Sequence, residues 1–322
     1  MPNDPELTGD ACIYIEAVAG YGGAHNRAGV WWLSPDINLV GPTSGPDKAD
    51  PGQNNAVQVT FHRKPASSNC ITSFSESVTV EVWVGNPSLV MTPDNPASTK
   101  LIQSIGSPMP DEGTNGVQAI NWVPPTGLPA TDPQSPGHKC LIARCYPDAL
   151  TPTPEAFFVP DDPHVAQHNL CIVPCGGPGA ARRPGPCGLP VTTINPNRKV
   201  AQTVTLRAIA DLKPTKVVRA LVLRRLKEVA GFRRLATAPP AGFKLESAAL
   251  RRGKVSDRTR TRGKRPPTYE VSVTLTRGRL IGFTFVADLS KSKLGDAHIF
   301  HLTQTGPDRR SQGGLTLVMV AV

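Results

Sequence analysis

At 322 residues the chain is long enough for two ordinary domains, and its hydrophobic fraction of 39% is enough to build buried cores. Its 29 glycines and 34 prolines favour short strands joined by turns, because proline breaks helices and cannot donate to a β-ladder. Residues 1–190 contain 9 Lys and Arg against 17 Asp and Glu, a net charge of −8, whereas residues 191–322 contain 26 against 8, a net charge of +18.

This charge division predicts a domain boundary near residue 190 and attraction between oppositely charged faces, within or between molecules. No apolar run approaches the roughly 18–20 residues of a membrane helix, so we expect no membrane insertion. The N-terminus is polar and acidic, and it lacks the basic and apolar regions of a signal peptide.

The first segment has the alternating pattern of half-buried strands. In residues 55–62, Val57, Val59 and Phe61 share one face, and four valines of residues 77–84 do the same. Turn-rich stretches separate the next strand candidates at the spacing of a β-sandwich, and these candidates are residues 118–123, 140–145 and 169–173.

The same strands carry a family resemblance. Residues 54–61, a polar connection and residues 78–87 (Val-Thr-Val-Glu-Val-Trp-Val-Gly-Asn-Pro) resemble bacterial immunoglobulin-like modules, most of all the cell-adhesion-related domain found in bacteria (CARDB). Residues 121–125, 136–144 and 161–170 are similar to the later half of that module. The resemblance covers about residues 10–175, and the stretches that begin at Cys12 and Trp31 resemble a lead-in of bacterial surface and assembly proteins.

The resemblance implies a β-sandwich without catalytic residues, and a location outside the cell or at its surface. One stretch departs from the family pattern. Where the family usually has an acidic residue followed by an Asn-Asn run, this chain has His164, Gln167 and His168.

Residues 175–192 are predicted to form a linker, because their glycines and prolines exclude both a helix and a central strand. The second domain begins with a strand candidate at residues 200–209. A helix follows at about residues 215–230, with start signals at Pro214 and Thr215 and a stop signal at Gly231. Later strand candidates are residues 269–276, 280–286, 298–304 and 315–322.

The predicted fold class is therefore mainly β, with two β-sandwich-like domains. The first comprises residues 1–174, and the second comprises residues 193–322 and contains the inserted helix.

Seven histidines raise the question of a metal site. His164 and His168 lie near two aspartates and are the nearest candidates, but the alternative is a pair of turn and strand histidines with ordinary hydrogen bonds. His298 and His301 would point to opposite faces of a strand. We therefore expect no metal and no cofactor.

All seven cysteines precede residue 190, and their odd number leaves at least one outside internal disulfides. Cys171, Cys175 and Cys187 lack the paired Cys-x2-Cys spacing of zinc knuckles. Cys175 and Cys187 are instead a candidate disulfide in an oxidising compartment.

The sequence has no motif of a serine hydrolase, a zinc protease or a phosphate-binding loop. A glycosidase needs only two carboxylates, but such enzymes generally also have aromatic sugar platforms, and aromatic residues make up only 5% of this chain. We expect a protein that is not an enzyme.

Residues 251–265 contain eight basic residues and one acidic residue, which can neutralise nucleic acid or acidic polysaccharide. The alternatives are a solvated loop and a loop that docks onto an acidic neighbouring subunit. The candidate contacts are Arg251, Arg252, Lys254, Arg258, Arg260, Arg262, Lys264 and Arg265.

Trp31 and Trp32 are adjacent, and two neighbouring residues of one strand cannot both face inward. The favoured interpretation is that the tryptophans pack in the core of the first domain, and the alternative is that one of Trp31 and Trp32 is an exposed contact for a partner.

Together these features predict a structural or adhesive protein that acts through protein–protein contacts, as a subunit of a bacterial surface, filamentous or phage-tail-like assembly. Its partners would be other proteins or further copies of the chain. The alternative is a polyanion- or carbohydrate-binding module that uses the basic C-terminal domain.

Overall fold

The computed structural model describes residues 12–22, 29–40, 47–65, 76–92, 95–148, 162–176, 184–197, 199–247 and 266–322. These residues form mainly β structure with a single helix, which confirms the predicted fold class. The chain divides into two compact units. Unit 1 comprises residues 1–86 and 92–169, and unit 2 comprises residues 87–91 and 170–322. The division lies earlier in the chain than residue 190, where the charge pattern places it.

Unit 1 is a β-sandwich of two four-stranded sheets. In one sheet β4 pairs with β1, β2 and β7, and the other sheet has the order β10-β9-β5-β6, while β3 and β8 form a separate pair. The strands are β1 (Ile13–Tyr14), β2 (Ile37–Val40), β3 (Lys48–Ala49), β4 (Asn55–Arg63), β5 (Ser77–Gly85), β6 (Thr99–Pro108), β7 (Asn115–Trp122), β8 (Gly137–His138), β9 (Cys140–Pro147) and β10 (Val165–His168).

The alternation in β4 and β5 builds the core of unit 1. Val57, Val59 and Phe61 of β4 are fully buried, and they pack in one cluster with the four inward valines of β5. Burial of each such side chain contributes roughly 1.5–3 kcal/mol. The intervening residues of β4, Gln58 and His62 among them, lie on the outer face of the sheet.

Unit 2 also consists of two sheets. One has the order β11-β19-β18-β13-β16, with β14 beside β18, and the other has the order β12-β17-β15. The elements are β11 (Leu170–Cys175), β12 (Pro186–Ile194), β13 (Gln202–Asp211), α1 (Lys216–Leu226), β14 (Arg234–Leu235), β15 (Gly242–Glu246), β16 (Thr268–Leu275), β17 (Leu280–Asp288), β18 (Asp296–Thr305) and β19 (Ser311–Ala321).

Three phenylalanines join the two sheets of unit 2. Phe243 of β15 and Phe285 of β17 lie 5.3 Å and 4.8 Å from Phe300 of β18, measured between ring centroids. Phe285 and Phe300 are fully buried. A buried polar contact accompanies them, because the Thr193 hydroxyl of β12 donates to the Gln304 side chain of β18. The sheets of unit 2 therefore share one core.

Helix α1 begins where the sequence predicts it, because the Thr215 hydroxyl caps it by accepting a hydrogen bond from the Val218 amide at 3.3 Å. Val218, Val222 and Leu226 are its buried residues. The helix ends at Leu226, earlier than the predicted stop signal at Gly231. In the described part of the chain, no helix has the length and apolar character needed to cross a membrane.

The predicted linker differs from the structure over part of its length. Residues 186–192 belong to β12, which pairs with β17 at the edge of that sheet and has one isolated bridge from Thr192 to Ser88. Proline is tolerated at such an edge because the missing donor faces away from the ladder. Cys175, at the end of β11, is joined by a disulfide to Cys187 of β12, with a Cα–Cα distance of 5.6 Å.

Candidate functional site

Unit 2 contains a cleft of about 310 Å³, which we call the arginine cleft. It lies between the flank of α1, the chain that follows Gly231, and the first residues of β18. Apolar side chains form much of its wall. The lining residues are Asp211, Leu212, Pro214, Arg219, Leu223, Phe232, Arg233, Arg234, Leu235, Ala236, Thr237, Ala297 and Ile299.

Helix α1 supplies one basic side of this cleft. Val218 and Val222 point into the core of unit 2, so the next residue in each turn, Arg219 and Leu223, lies on the flank of the helix. These two residues are four apart and are therefore neighbours on the helix surface. Arg219 is exposed and Leu223 is half-buried beside it.

The chain after the helix supplies the other basic side. The backbone amides of Arg233 and Arg234 both donate to the Gly295 carbonyl, at 2.9 Å and 3.2 Å, and β14 then runs parallel to the start of β18. Gly295 has a φ of +86°, and a Cβ there would collide with the side chain of Arg233. Glycine is therefore required at residue 295 for the arginine pair to lie so close to β18.

The three cleft arginines differ in how their charges are balanced. Arg234 donates from Nε to Asp296 Oδ1 at 2.7 Å. Partial burial by itself would raise the pKa of Asp296, but the hydrogen bonds from Arg234 and the Lys293 amide hold it below its usual value. Among the described residues, neither Arg219 nor Arg233 has an acidic partner. Within the described part of the chain, Arg219 and Arg233 therefore form no salt bridge in this cleft.

The acidic residue of the cleft is committed to a partner outside it. Asp211 accepts a hydrogen bond from His301 Nε2 at 3.0 Å, and His301 Nδ1 lies 3.0 Å from the Thr316 hydroxyl. Burial would raise the pKa of Asp211, but the hydrogen bond and charge of His301, with the Lys213 amide, lower it overall. Asp211 is therefore ionised and bound at neutral pH.

The Thr316–His301–Asp211 chain has the residue types of a catalytic triad, but its geometry does not support nucleophilic attack. Thr316 is fully buried in β19, so its hydroxyl cannot meet a substrate. The chain instead fixes the side chain of Asp211 at the end of β13.

The cleft is suited to binding an anionic group. Guanidinium groups hold phosphate, sulfate or carboxylate oxygens through paired hydrogen bonds. The apolar wall of Leu212, Leu223 and Phe232 can carry the uncharged part of a ligand, and a volume near 300 Å³ lies at the lower end of the range of ligand pockets.

The alternative in which Trp31 or Trp32 is an exposed contact for a partner is wrong. Trp31 and Trp32 are only 1% and 3% exposed, so neither offers a contact surface. They lie in a turn before β2 instead of in a strand, and this lets both rings turn inward and pack edge to face at 5.6 Å.

The two candidate metal histidines of unit 1 do not converge. His164 Nδ1 lies 3.0 Å from Asp162 Oδ1, whereas His168 Nδ1 lies 3.0 Å from the Ser34 carbonyl oxygen. His168 Nε2 faces a different acid, Asp47, at 3.6 Å. Each ring is buried in its own surroundings.

Among the described residues, the group that brings three metal-ligating atoms together is a different one. Glu16, Asp36 and His62 of unit 1 have ligand atoms within 4.8 Å of one another. Sequence reasoning missed this group because its members are far apart in the chain and form no spacing motif.

The basic run of residues 251–265 lies outside the described residues, so its eight candidate contacts stay a prediction. Sequence reasoning did not identify Arg219, Arg233 and Arg234 as a group. The available signal was the Arg233-Arg234 pair, which follows the predicted stop residue Gly231 of a basic helix after one intervening residue.

No protein-family model and no curated protein matches the chain. Among solved structures it is similar to a collagen adhesin from S. aureus, with 7% identity, a TM-score of 0.24, and coverage of 88% of this chain and 91% of that chain. It is also similar to the CupB6 tip adhesin from Pseudomonas aeruginosa, with 9% identity, a TM-score of 0.17, and coverage of 90% and 97%.

A third similar structure is a lectin from Pleurotus ostreatus in complex with GalNAc, with 12% identity, a TM-score of 0.19, and coverage of 89% of this chain and 82% of that chain. At these TM-scores none of the three likenesses carries an argument about the function of this chain.

Proposed function

We propose that the protein is a non-enzymatic, adhesive binding protein, and that unit 2 binds the acidic groups of a polyanionic partner in the arginine cleft. The observation that carries this proposal is the position of Arg219 and Arg233, which share one cleft without acidic partners among the described residues. Because both residues line the same cleft, an anionic ligand there could accept hydrogen bonds from both guanidinium groups.

The net charge of the C-terminal part of the chain also supports anion binding by unit 2. Residues 191–322 have a net charge of +18, which would draw a polyanion toward unit 2 over a distance of about one Debye length, roughly 8–10 Å. The basic run at residues 251–265 belongs to the same half of the chain and would add contacts without shape specificity. The cleft would then supply the specific contact.

Retention on a heparin column tests the proposal. We expect Arg219→Ala/Arg233→Ala to elute at clearly lower salt than the natural protein, because two unbalanced charges are removed from the binding cleft. The matched control is Arg277→Ala/Arg279→Ala, which removes the same charge from exposed residues in the turn between β16 and β17.

The control decides between a cleft and a general charge effect. Equal loss of retention in both double variants would contradict a specific cleft. A third variant, Arg258→Ala/Arg260→Ala/Arg262→Ala, measures the share of the basic run. If that variant alone lost retention, the run and not the cleft would be the binding element.

A second candidate function is a subunit of a bacterial surface, filamentous or phage-tail-like assembly. The opposite net charges of residues 1–190 (−8) and residues 191–322 (+18) favour this function. Head-to-tail contacts between oppositely charged halves of neighbouring molecules would build rings or fibres. Negative-stain microscopy across a salt series tests it. Ordered particles that dissolve as salt rises would support assembly, and single particles at every salt concentration would contradict it.

A further inference from the structure

Three strands of unit 1 bring the side chains of Glu16, Asp36 and His62 to one end of a sheet. His62 lies near the end of the central strand β4, directly opposite Tyr14 of β1 in the antiparallel register. Asp36 immediately precedes β2, whose first residue, Ile37, pairs with Val59 of β4. Glu16 follows the last residue of β1 by two residues. We call these three residues the carboxylate–histidine cluster.

Hydrogen bonds hold the two carboxylates in place. Asp36 Oδ2 accepts from the Glu16 backbone amide at 2.8 Å. The Glu16 side chain accepts from the Gly20 amide at 3.0 Å and from the Gly22 amide at 3.2 Å, so the chain that follows β1 wraps around it. Neither carboxylate therefore needs a large movement to bind a ligand, and each oxygen has lone pairs left.

The imidazole of His62 faces an oxygen at each of its two nitrogens. Nδ1 lies 2.7 Å from Asn115 Oδ1 and Nε2 lies 2.8 Å from Asp36 Oδ2. With Asn115 Oδ1 facing Nδ1, these two contacts are compatible with two protons on the ring or with one proton and a cation. When Nδ1–H donates to Asn115, the lone pair of Nε2 points toward the carboxylates, and this is the arrangement in which a second partner orients a metal-ligating histidine.

The position of the cluster leaves room for further ligands. Phe61 is buried beneath the sheet, so its neighbour His62 lies on the outer face, where His62 and Glu16 are partly exposed. Tyr14 stacks on the His62 ring with 5.0 Å between centroids and fixes its plane. Water can therefore complete a coordination shell on the open side.

We propose that Glu16, Asp36 and His62 bind a divalent cation of the Zn²⁺ or Mn²⁺ type through two carboxylate oxygens and one imidazole nitrogen. The ligand atoms already lie within 4.8 Å, and two carboxylates with one imidazole suit these ions better than Ca²⁺, which prefers six to eight oxygens. The bound ion would tie the segment after β1 to β2 and β4. This proposal is independent of the arginine cleft.

Isothermal calorimetry of the metal-free full chain with Zn²⁺ tests the proposal. We expect one tight site per chain in the natural protein, and a loss of affinity of more than tenfold in both His62→Gln and Glu16→Gln. Asn115→Ala, which removes only the orienting partner, is expected to weaken binding about 10- to 100-fold. The control is Glu112→Gln, an exposed carboxylate that pairs with Arg63 outside the cluster.

Zn²⁺ should bind more tightly than Mn²⁺, following the general order of affinities. Circular dichroism checks that each variant is folded. Glu16→Gln keeps the test valid if His62→Gln does not fold, because Gln keeps the shape of the side chain and one oxygen that can accept from a glycine amide. Absence of a tight site in the natural protein, or equal affinity in Glu16→Gln and Glu112→Gln, would overturn the proposal.

Discussion

The buried ion pair of unit 1 and the arginine cleft of unit 2 place the same side chain in opposite situations. Arg144 of β9 is nearly buried, binds Glu81 of β5 at 2.7 Å, and lies over the Trp83 ring at 5.2 Å. Arg219 and Arg233 are exposed and have no acidic partner among the described residues. An arginine that contributes to folding is satisfied by the protein, whereas an arginine left unsatisfied in a cleft is available to a ligand.

The first prediction concerns the core that supports the cleft and has the largest expected effect. Phe285→Ala should lower the free energy of unfolding by about 3–5 kcal/mol, because the ring is fully buried against Phe243 and Phe300. Urea unfolding measures it. Val117→Ala, at a residue 62% exposed, is the control and should change stability little. A cost below about 1 kcal/mol for Phe285→Ala would mean that the sheets are not packed as described.

The second prediction tests the contrast between the arginines directly. Arg144→Met should cost about 3 kcal/mol or more, because it leaves Glu81 largely buried without its partner. Arg233→Ala should cost less than about 0.5 kcal/mol, since its side chain is exposed. The two variants are compared by the same urea titration. Equal losses of unfolding free energy in Arg144→Met and Arg233→Ala would contradict the distinction between a structural and a ligand-binding arginine.

A smaller effect is expected at the start of the helix that carries Arg219. Thr215→Ala should lower stability by about 1 kcal/mol, because the Val218 amide loses its capping hydroxyl. Thr215→Ser keeps the hydroxyl and serves as the control. If both variants matched the natural protein in thermal unfolding, the cap would not contribute to holding α1.

The smallest expected effect is the pH dependence of Asp211. The pKa of Asp211 is lower in the folded protein than in the unfolded chain, where it has the ordinary value near 3.8. The ionised carboxylate therefore stabilises the fold at pH values above 3.8. This contribution is lost as the pH falls through the lowered pKa. The side chain is partly exposed, so we expect about 1 kcal/mol or less. The stability difference between the natural protein and Asp211→Asn should be constant above pH 5 and shrink toward pH 3. A difference that is unchanged at pH 3 would contradict the assignment.

The regular parts of both units could be predicted from the sequence. Strands β4 and β5 alternate so strictly that one residue of slippage would expose every valine, and α1 has both a capping threonine and an apolar stripe. Strand β6 was missed because its apolar residues Leu101, Ile102 and Ile105 do not alternate with polar ones, so the period-two signal is absent. The part of β12 inside the predicted linker was missed because its prolines lie at an edge, where they are tolerated.

The candidate sites could not be predicted because they depend on contacts between distant residues. Asp36 and His62 meet only through the pairing of β2 with β4, and Arg219 meets Arg233 only through the return of the chain to β18. Local composition instead drew attention to the basic run at residues 251–265, and the adjacency of Trp31 and Trp32 was interpreted as a strand when it belongs to a turn.

The most direct test of the arginine cleft is the affinity of the full chain for a short sulfated heparin oligosaccharide, measured by calorimetry at several salt concentrations. We expect Arg219→Ala/Arg233→Ala to weaken binding strongly and to flatten its salt dependence, whereas Arg277→Ala/Arg279→Ala should leave both nearly unchanged. If the two double variants bind the oligosaccharide equally well, the cleft is not the site at which the protein holds an anion.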